Sequence, residues 1–418
     1  MTPQIKQRIE QIRRGEVPEG YKKTKVGIVP DEWNEECLGK YLQEHKELSN
    51  DIENYPVYSS SRQGLIPQSQ YYDNREAVET NLGYKIVPNG YVTYRHMSDD
   101  DIFHFNVNKT GSEVLVSSEY PVFTSTKKGD LGYLIPMLNG TARFRYFCRT
   151  QKMGGTRTRL YYKNLCKYKT AFATLPEQQK IAEILSAQDK LITLKEKLIE
   201  EKKRQKKGLM QQLLTGRKRL PGFSDEWKQT KLKKLLKERK TYSQKGLEYP
   251  HVTLSTDGIY AKTERYDREH LVKSEDKEYK ITHKGDLCYN PANLKFGVIC
   301  VNTFGDAIFS PIYVTFEVQK GVDLGFLSNY LMRWDFINAV RKYEEGTVYE
   351  RMAVKPEDFL KFEIKLPSIE EQKAISKILS LYDSEIELLK NDLDQEKQKK
   401  KALMQLLLTG IVRVEVKQ

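Results

Sequence analysis

Arginine and asparagine carry donor and acceptor pairs that match the major-groove edges of guanine and adenine, while lysine, serine and threonine suit phosphate oxygens. In this chain such residues gather in short segments that read as loops. One set comprises Ser60, Arg62 and Gln63 after "YPVYS", Arg95 and His96 after a strand, Lys127 and Lys128 in a turn, and Arg157 and Arg159 in "GGTRTR". A second set comprises Tyr289, Asn290, Asn293 and Lys295 around "NPANLK", with Tyr349 and Arg351 in "EGTVYERM". Any one of them could be a solvated surface residue. Their recurrence in both halves of the chain points to nucleic-acid contact.

The charge agrees. Lys and Arg number 70 against 57 Asp and Glu, a net +13 that favours a polyanionic partner. With 39% hydrophobic residues and 26 Tyr, the composition is that of a folded protein of two or three domains rather than a disordered chain. Neither a long apolar run nor a signal-peptide core is present, so a cytoplasmic location is expected. Cys37, Cys148, Cys166, Cys288 and Cys300 are scattered without CxxC spacing and read as reduced, mostly buried thiols.

Catalytic apparatus is missing. The sequence holds no phosphate-binding loop ending in Lys-Ser/Thr, no nucleophile elbow and no HExxH. "NPAN" at residues 290–293 fails the Asn/Asp-Pro-Pro-aromatic pattern of a DNA methyltransferase at its third and fourth positions. "RHMSDDDIFH" at residues 95–104 offers two His and three Asp, but the matching stretch of the second half, "NPANLKFGV", has no such ligands. It is therefore read as a polar loop, with no metal site expected.

These loops must be held by a scaffold, and the scaffold is duplicated. "KKGLMQQLLTG" (206–216) returns as "KKALMQLLLTG" (400–410), and the same 194-residue offset maps "EQQKIAEILSAQD" (177–189) onto "EQKAISKILSLYD" (371–383) and "PDEW" (30–33) onto "SDEW" (224–227). Between these anchors, "YKIVPNGYVTYR" (84–95) answers "YKITHKGDLCYN" (279–290). Each copy opens with short alternating runs rich in Tyr, Val and Ile, bounded by turn residues, which predict mixed sheet. Each closes with a helix. Apolar residues step by alternating fours and threes through Ile181, Leu185, Ile192, Ile199, Leu209 and Leu213, and through Ile375, Leu379, Tyr382, Ile386, Leu389, Leu393, Leu403 and Leu407. That is the spacing of a coiled-coil seam. Both seams turn polar at matching places, Lys202 and Lys206 in one, Glu396 and Lys400 in the other. Pro176 and Pro367 precede the helices, and Gly216 and Gly410 terminate them. A short N-terminal helix with Thr2 as cap and Ile5, Ile9 and Ile12 on one face is expected to lie beside the C-terminal helix. Residues 326–343 of the second copy predict one clear helix that the first copy lacks, having "YLIPMLNGTARFRYF" instead.

With "GYKKTKVGIVPDEW" (20–33), "LPEQQKIAEILSAQDKLI" (175–192), "LPSIEEQKAISKILSLYDSEI" (366–386) and the two "KKxLMQxLLTG" endings, the chain resembles the DNA-specificity subunit of type I restriction-modification systems over essentially its full length. The resemblance implies an α+β protein: two tandem mixed α/β target-recognition domains, separated by two long helices that form an antiparallel coiled coil, with a pseudo-twofold repeat. The expected division is an N-terminal helical segment (1–24), a first recognition domain (25–174), a central spacer helix (175–218), a second recognition domain (219–365) and a C-terminal spacer helix (366–418). It further implies a non-catalytic subunit whose domains each read half of a bipartite, asymmetric site in double-stranded DNA. Its partners would be two methyltransferase and two restriction/translocase subunits. No cofactor is expected on this chain; S-adenosylmethionine and ATP/Mg would reside on the partners. The competing reading of the residues is a structural coiled-coil adaptor with non-specific DNA affinity.

Overall fold

The computed structural model describes residues 2–71, 83–152, 154–243, 249–256, 258–262, 278–343 and 353–416. Contacts divide the chain into two compact units, Met1–Glu196 with Asn391–Gln418, and Lys197–Lys390. Each unit thus takes half of each long helix, Leu175–Leu213 and Ile369–Leu407.

The first unit is built on two antiparallel sheets. Four strands run in the order Asn106–Val107, Val92–Thr93, Val122–Ser125, Leu42–His45, and three in the order Val114–Ser117, Tyr84–Val87, Leu48–Ser49. A hairpin, Tyr58–Ser61 with Gly64–Pro67, stands beside them, and Asn34–Cys37 pairs with Lys169–Phe172. The core is aromatic: Tyr94, Phe105, Phe123, Tyr133, Phe144 and Phe172 are almost wholly buried together. Each such ring buries a large apolar area.

The second unit repeats both main sheets and the hairpin. Its four-stranded sheet runs Leu236–Glu238, Val314–Val318, Leu287–Tyr289, Ile299–Val301, and its three-stranded sheet Tyr242–Ser243, Tyr279–Thr282, Ala307–Phe309. The hairpin recurs as Val252–Ser255 with Gly258–Ala261. Tyr289, Phe316, Phe326 and Phe359 fill its core.

The helical insertion differs from the sequence expectation in both copies. The first unit does hold helices there, Leu131–Gly140 and Ala142–Arg149. Asp130 caps the first by accepting from the Tyr133 N–H, and Tyr133, Leu134, Met137 and Leu138 bury one face, which outweighs the break that Pro136 suggests. In the second unit the single expected helix is two, Leu324–Leu331 and Trp334–Val340.

Within the first unit the two long helices run antiparallel. Lys195 Nζ meets Asp392 at 2.5 Å, Gln188 donates to Glu396 at 2.7 Å, and Lys400 pairs with Asp189. Within the second unit Lys202 meets Glu385 at 2.6 Å and Lys206 meets Asp383 at 2.5 Å. The polar stretch of each seam is therefore filled by ion pairs between helices, which favour register over raw stability. The apolar seam positions are buried or half-buried, and their outer members also enter the domain cores: Ile181, Leu185 and Leu407 in one unit, Leu213, Ile375 and Leu379 in the other.

Gly216 and Gly410 take the left-handed conformation at φ +71° and +72° just past the helices. A Cβ on Gly410 would stand 2.6 Å from Pro30 Cδ, so both the turn and the close approach call for glycine. The N-terminal helix Pro3–Arg13 is capped by Thr2, and within the first unit Arg8 and Tyr21 donate to the carbonyls of Ile411 and Gly410, at 3.4 and 2.8 Å.

Candidate nucleic-acid interface

Both units hang a loop from the same place. In the first, the strand Val92–Thr93 leads into buried Tyr94, whose hydroxyl donates to the Leu160 carbonyl at 3.0 Å. In the second, buried Tyr289 donates to the Val354 carbonyl, also at 3.0 Å. Leu160 and Val354 are one repeat apart. Each tyrosine thus fastens the segment that follows the arginine loop onto the end of a core strand. Burial raises both phenol pKa values, so each hydroxyl stays a donor.

In the first unit this fastening gathers most of the expected side chains. Met97–Ser98 pairs with Thr158–Arg159, and the Leu160 N–H donates to the His96 carbonyl at 2.8 Å, so "GGTRTR" lies along "RHMSDDD". Arg157 Nε donates to Asp99 at 2.8 Å, Arg62 Nη2 to Asp100 at 2.7 Å, and the Thr158 hydroxyl to Asp101. A cavity of about 410 Å³ opens here, lined by Ser60, Arg62, Gln63, Arg95, Asp99 and His104 among others. His104 is held below the usual histidine pKa by burial and by Arg62, which leaves it neutral.

Several expected contact residues lie inside instead. Ser60 is buried and accepts from the Asn106 amide at 2.8 Å. His96 is buried against Tyr161 with its Nε2 3.3 Å from Glu119, and burial lowers its pKa. Tyr289 is wholly buried. Asn290 is buried too, and its side-chain oxygen accepts from the backbone N–H groups of Ala292 and Asn293, shaping its own turn. These side chains build the loops; alternation along the strands had not revealed which positions face inward. Lys127 and Lys128 are exposed but do not line the cavity, since their turn is tied to Gln178 of the central helix. Arg159 is exposed, and Asn293 and Lys295 are half-buried. Tyr349 and Arg351 lie outside the described residues.

One residue that residue-type reasoning passed over is Phe296. It is 60% exposed on the turn Leu294–Phe296, anchored by buried Leu294 and closed by left-handed Gly297, with the Lys295 ammonium 5.2 Å from its ring centroid. A phenylalanine directly before a turn glycine was the available signal.

Among the described residues no cluster of His, Cys, Asp or Glu could hold a metal ion, and no helix is long and apolar enough to cross a membrane. All five cysteines are free thiols; burial pushes Cys148, Cys288 and Cys300 up to about 12, which makes them poor nucleophiles.

The sequence pattern of the type I restriction modification DNA specificity domain matches residues 39–204 and again 224–397. The proteins named as the MjaX and MjaVIII specificity subunits of type I restriction enzymes, both from Methanocaldococcus jannaschii, are 25% and 24% identical to this chain. The first match covers 95% of this chain and 97% of the relative, the second 93% and 94%. Among solved structures, the S subunit of a type I restriction-modification system from M. genitalium superposes with a TM-score of 0.51 at 12% identity, covering 90% of this chain and 96% of that one. A chain from a study of type I complex assembly and conformational transition gives 0.54 at 14% identity, covering 92% and 99%. The tandem match, the full-length relatives and the shared fold agree: this chain belongs to the type I restriction-modification DNA-specificity family.

Proposed function

We propose that this chain is the non-catalytic DNA-reading subunit of a type I complex, in which each unit reads one half of a bipartite, asymmetric site. What supports this most is the matched pair of tyrosine-fastened loops. The same strand end, hydroxyl bond and downstream segment recur, yet the presented side chains differ: Arg62, Gln63, Arg95, Arg157 and Arg159 in one unit, Asn293, Lys295 and Phe296 in the other. One support with two different reading sets suits two different words. The net +13 charge supplies the phosphate attraction and a steep salt dependence. In this reading the paired helices set the separation of the half-sites and dock two methyltransferase subunits, which carry S-adenosylmethionine, with restriction/translocase subunits carrying ATP and Mg.

The test is methylome sequencing of a host expressing this chain with its methyltransferase subunit. A bipartite methyladenine motif that disappears when the chain is deleted is expected; its absence removes the reading. A structural adaptor with non-specific affinity would instead give no sequence preference in a DNA selection experiment.

A further inference from the structure

An acidic tripeptide on the loop of a DNA-binding unit needs a reason. Asp99, Asp100 and Asp101 would repel the phosphate backbone if left bare. None is bare. Asp99 takes Arg157 Nε and Asp100 takes Arg62 Nη2, at 2.8 and 2.7 Å, while Asp101 takes the Thr158 hydroxyl. The arginines come from two separate segments, 58 and 38 residues away from their partners.

The middle carboxylate is itself held. Asp100 Oδ1 accepts from the Ser98 hydroxyl at 2.8 Å and from the Ile102 N–H at 3.3 Å. Asp101 sits at φ +62°, the left-handed region that a non-glycine residue enters only at a cost. The loop therefore maintains a strained backbone that sets three consecutive carboxylates facing Arg157, Arg62 and Thr158, the middle one fixed from both sides. Stability is not the return, because both members of each arginine pair are more than a third exposed, and such pairs contribute little.

The bonds do leave something useful. Arg157 is held through Nε alone, so both terminal nitrogens of its guanidinium are without partners among the described residues. Arg62 is held through one terminal nitrogen and keeps its remaining donors. A guanidinium fixed at one edge presents the other as a preset pair of N–H donors, the match for guanine O6 and N7. In the second unit the corresponding turn carries Leu294, Lys295 and Phe296 and offers no carboxylate.

Resting on the reading of this unit as a half-site reader, we infer that Asp99 and Asp100 are positioning residues for specificity: they buttress Arg157 and Arg62 so that these arginines select guanine in the half-site read by the first unit. The carboxylates act through the arginines and supply no contact energy of their own. Removing one carboxylate leaves the arginine its charge but not its aim. Phosphate attraction then rises slightly while base selectivity falls.

The experiment uses the full-length chain co-expressed with its methyltransferase subunit, comparing the wild type with Asp99→Ala, Asp100→Ala and Arg62→Lys by methylome sequencing. Duplexes carrying the wild-type site, and each single-base change in it, serve as binding probes. Expected is a loss of about tenfold or more in discrimination at a guanine position of one half-site. The other half-site should stay intact, and affinity for unrelated DNA should be equal or higher. Arg62→Lys keeps the charge but loses the fork, and should degrade the same position as Asp100→Ala. Thermal melting of each variant verifies folding. An unchanged motif with uniformly altered methylation would overturn the proposal, since the carboxylates would then act as charge alone. Loss of selectivity spread over both half-sites would overturn it as well. If the wild-type complex itself yields no bipartite motif, the half-site reading fails first and the proposal falls with it.

Discussion

Trp33 donates its indole N–H to Glu177 at 2.8 Å, and Arg413 closes on the same carboxylate with its Nε 2.7 Å from Oε1. In the second unit Trp227 and Arg219 do the same to Glu371, at 3.3 and 2.7 Å. Both glutamates stand in the first turn of a long helix, where the helix dipole favours an anion, and both are 1% exposed. The C-terminal tail thus supplies to the first unit the arginine that the segment after the central helix supplies to the second. A folded first unit needs residues from both ends of the chain.

Glu177→Ala and Glu371→Ala should each destabilise the protein by about 3 kcal/mol, because each leaves an indole donor without its acceptor and takes a buried carboxylate from an arginine, although Arg413 keeps its pair with Glu32. The Gln variants should lose less, since an amide oxygen still accepts from the indole. Denaturant midpoints at constant m-value measure this. Losses near zero for both alanine variants would show that water replaces the carboxylate freely.

The two terminating glycines separate backbone strain from packing. Ala at either Gly216 or Gly410 must adopt a left-handed φ, costing about 1 kcal/mol. At Gly216 the new Cβ would meet Trp227 Cε2 at 3.4 Å, an ordinary contact. At Gly410 it would stand 2.6 Å from Pro30 Cδ and 3.2 Å from Trp33 Cη2. Gly410→Ala should therefore lower the melting temperature clearly more than Gly216→Ala, and equal shifts would contradict the close approach.

How far the sequence reached follows from the range of each interaction. The seams were readable because the pattern that buries Ile181, Leu185 and Ile199 repeats every three and four residues along one helix. The terminating glycines and the Thr2 cap are equally local. The helix Leu131–Gly140 was not readable, because an N-cap at Asp130 and a buried face outweigh the proline inside it. Nor could the site be read fully. "RHMSDDDIFH" looks like a polar loop until Arg62 and Arg157 arrive from distant segments, and nothing in the spacing says that Tyr289 or His96 points inward while Phe296 points out.

His96 gives a pH dependence of known sign. Burial first, then nearby Arg159, Arg95 and Lys85, lower its pKa below 6.5, against an opposing pull from Glu119. The unfolded chain then binds the proton more readily than the folded one, so stability falls as pH drops through about 6.5 toward the folded value. His96→Gln removes that titration. Between pH 7.5 and 5.5 the wild type should lose more melting temperature than the variant, and parallel losses would show that His96 takes up its proton in place.

Tyr94 and Tyr289 offer a paired test of the loop support. Tyr94→Phe removes one hydroxyl and leaves the Leu160 carbonyl without its donor; Tyr289→Phe does the same to Val354. Each should cost about 1–3 kcal/mol of stability, the penalty for a buried acceptor left unmade. If the loops read separate half-sites, the effect on DNA must divide. Tyr94→Phe should weaken discrimination in one half-site and Tyr289→Phe in the other, measured with duplexes altered in one half at a time. A variant that weakens both halves equally would mean that the tyrosines support the fold alone, because a loosened loop can blur only the bases its own side chains reach.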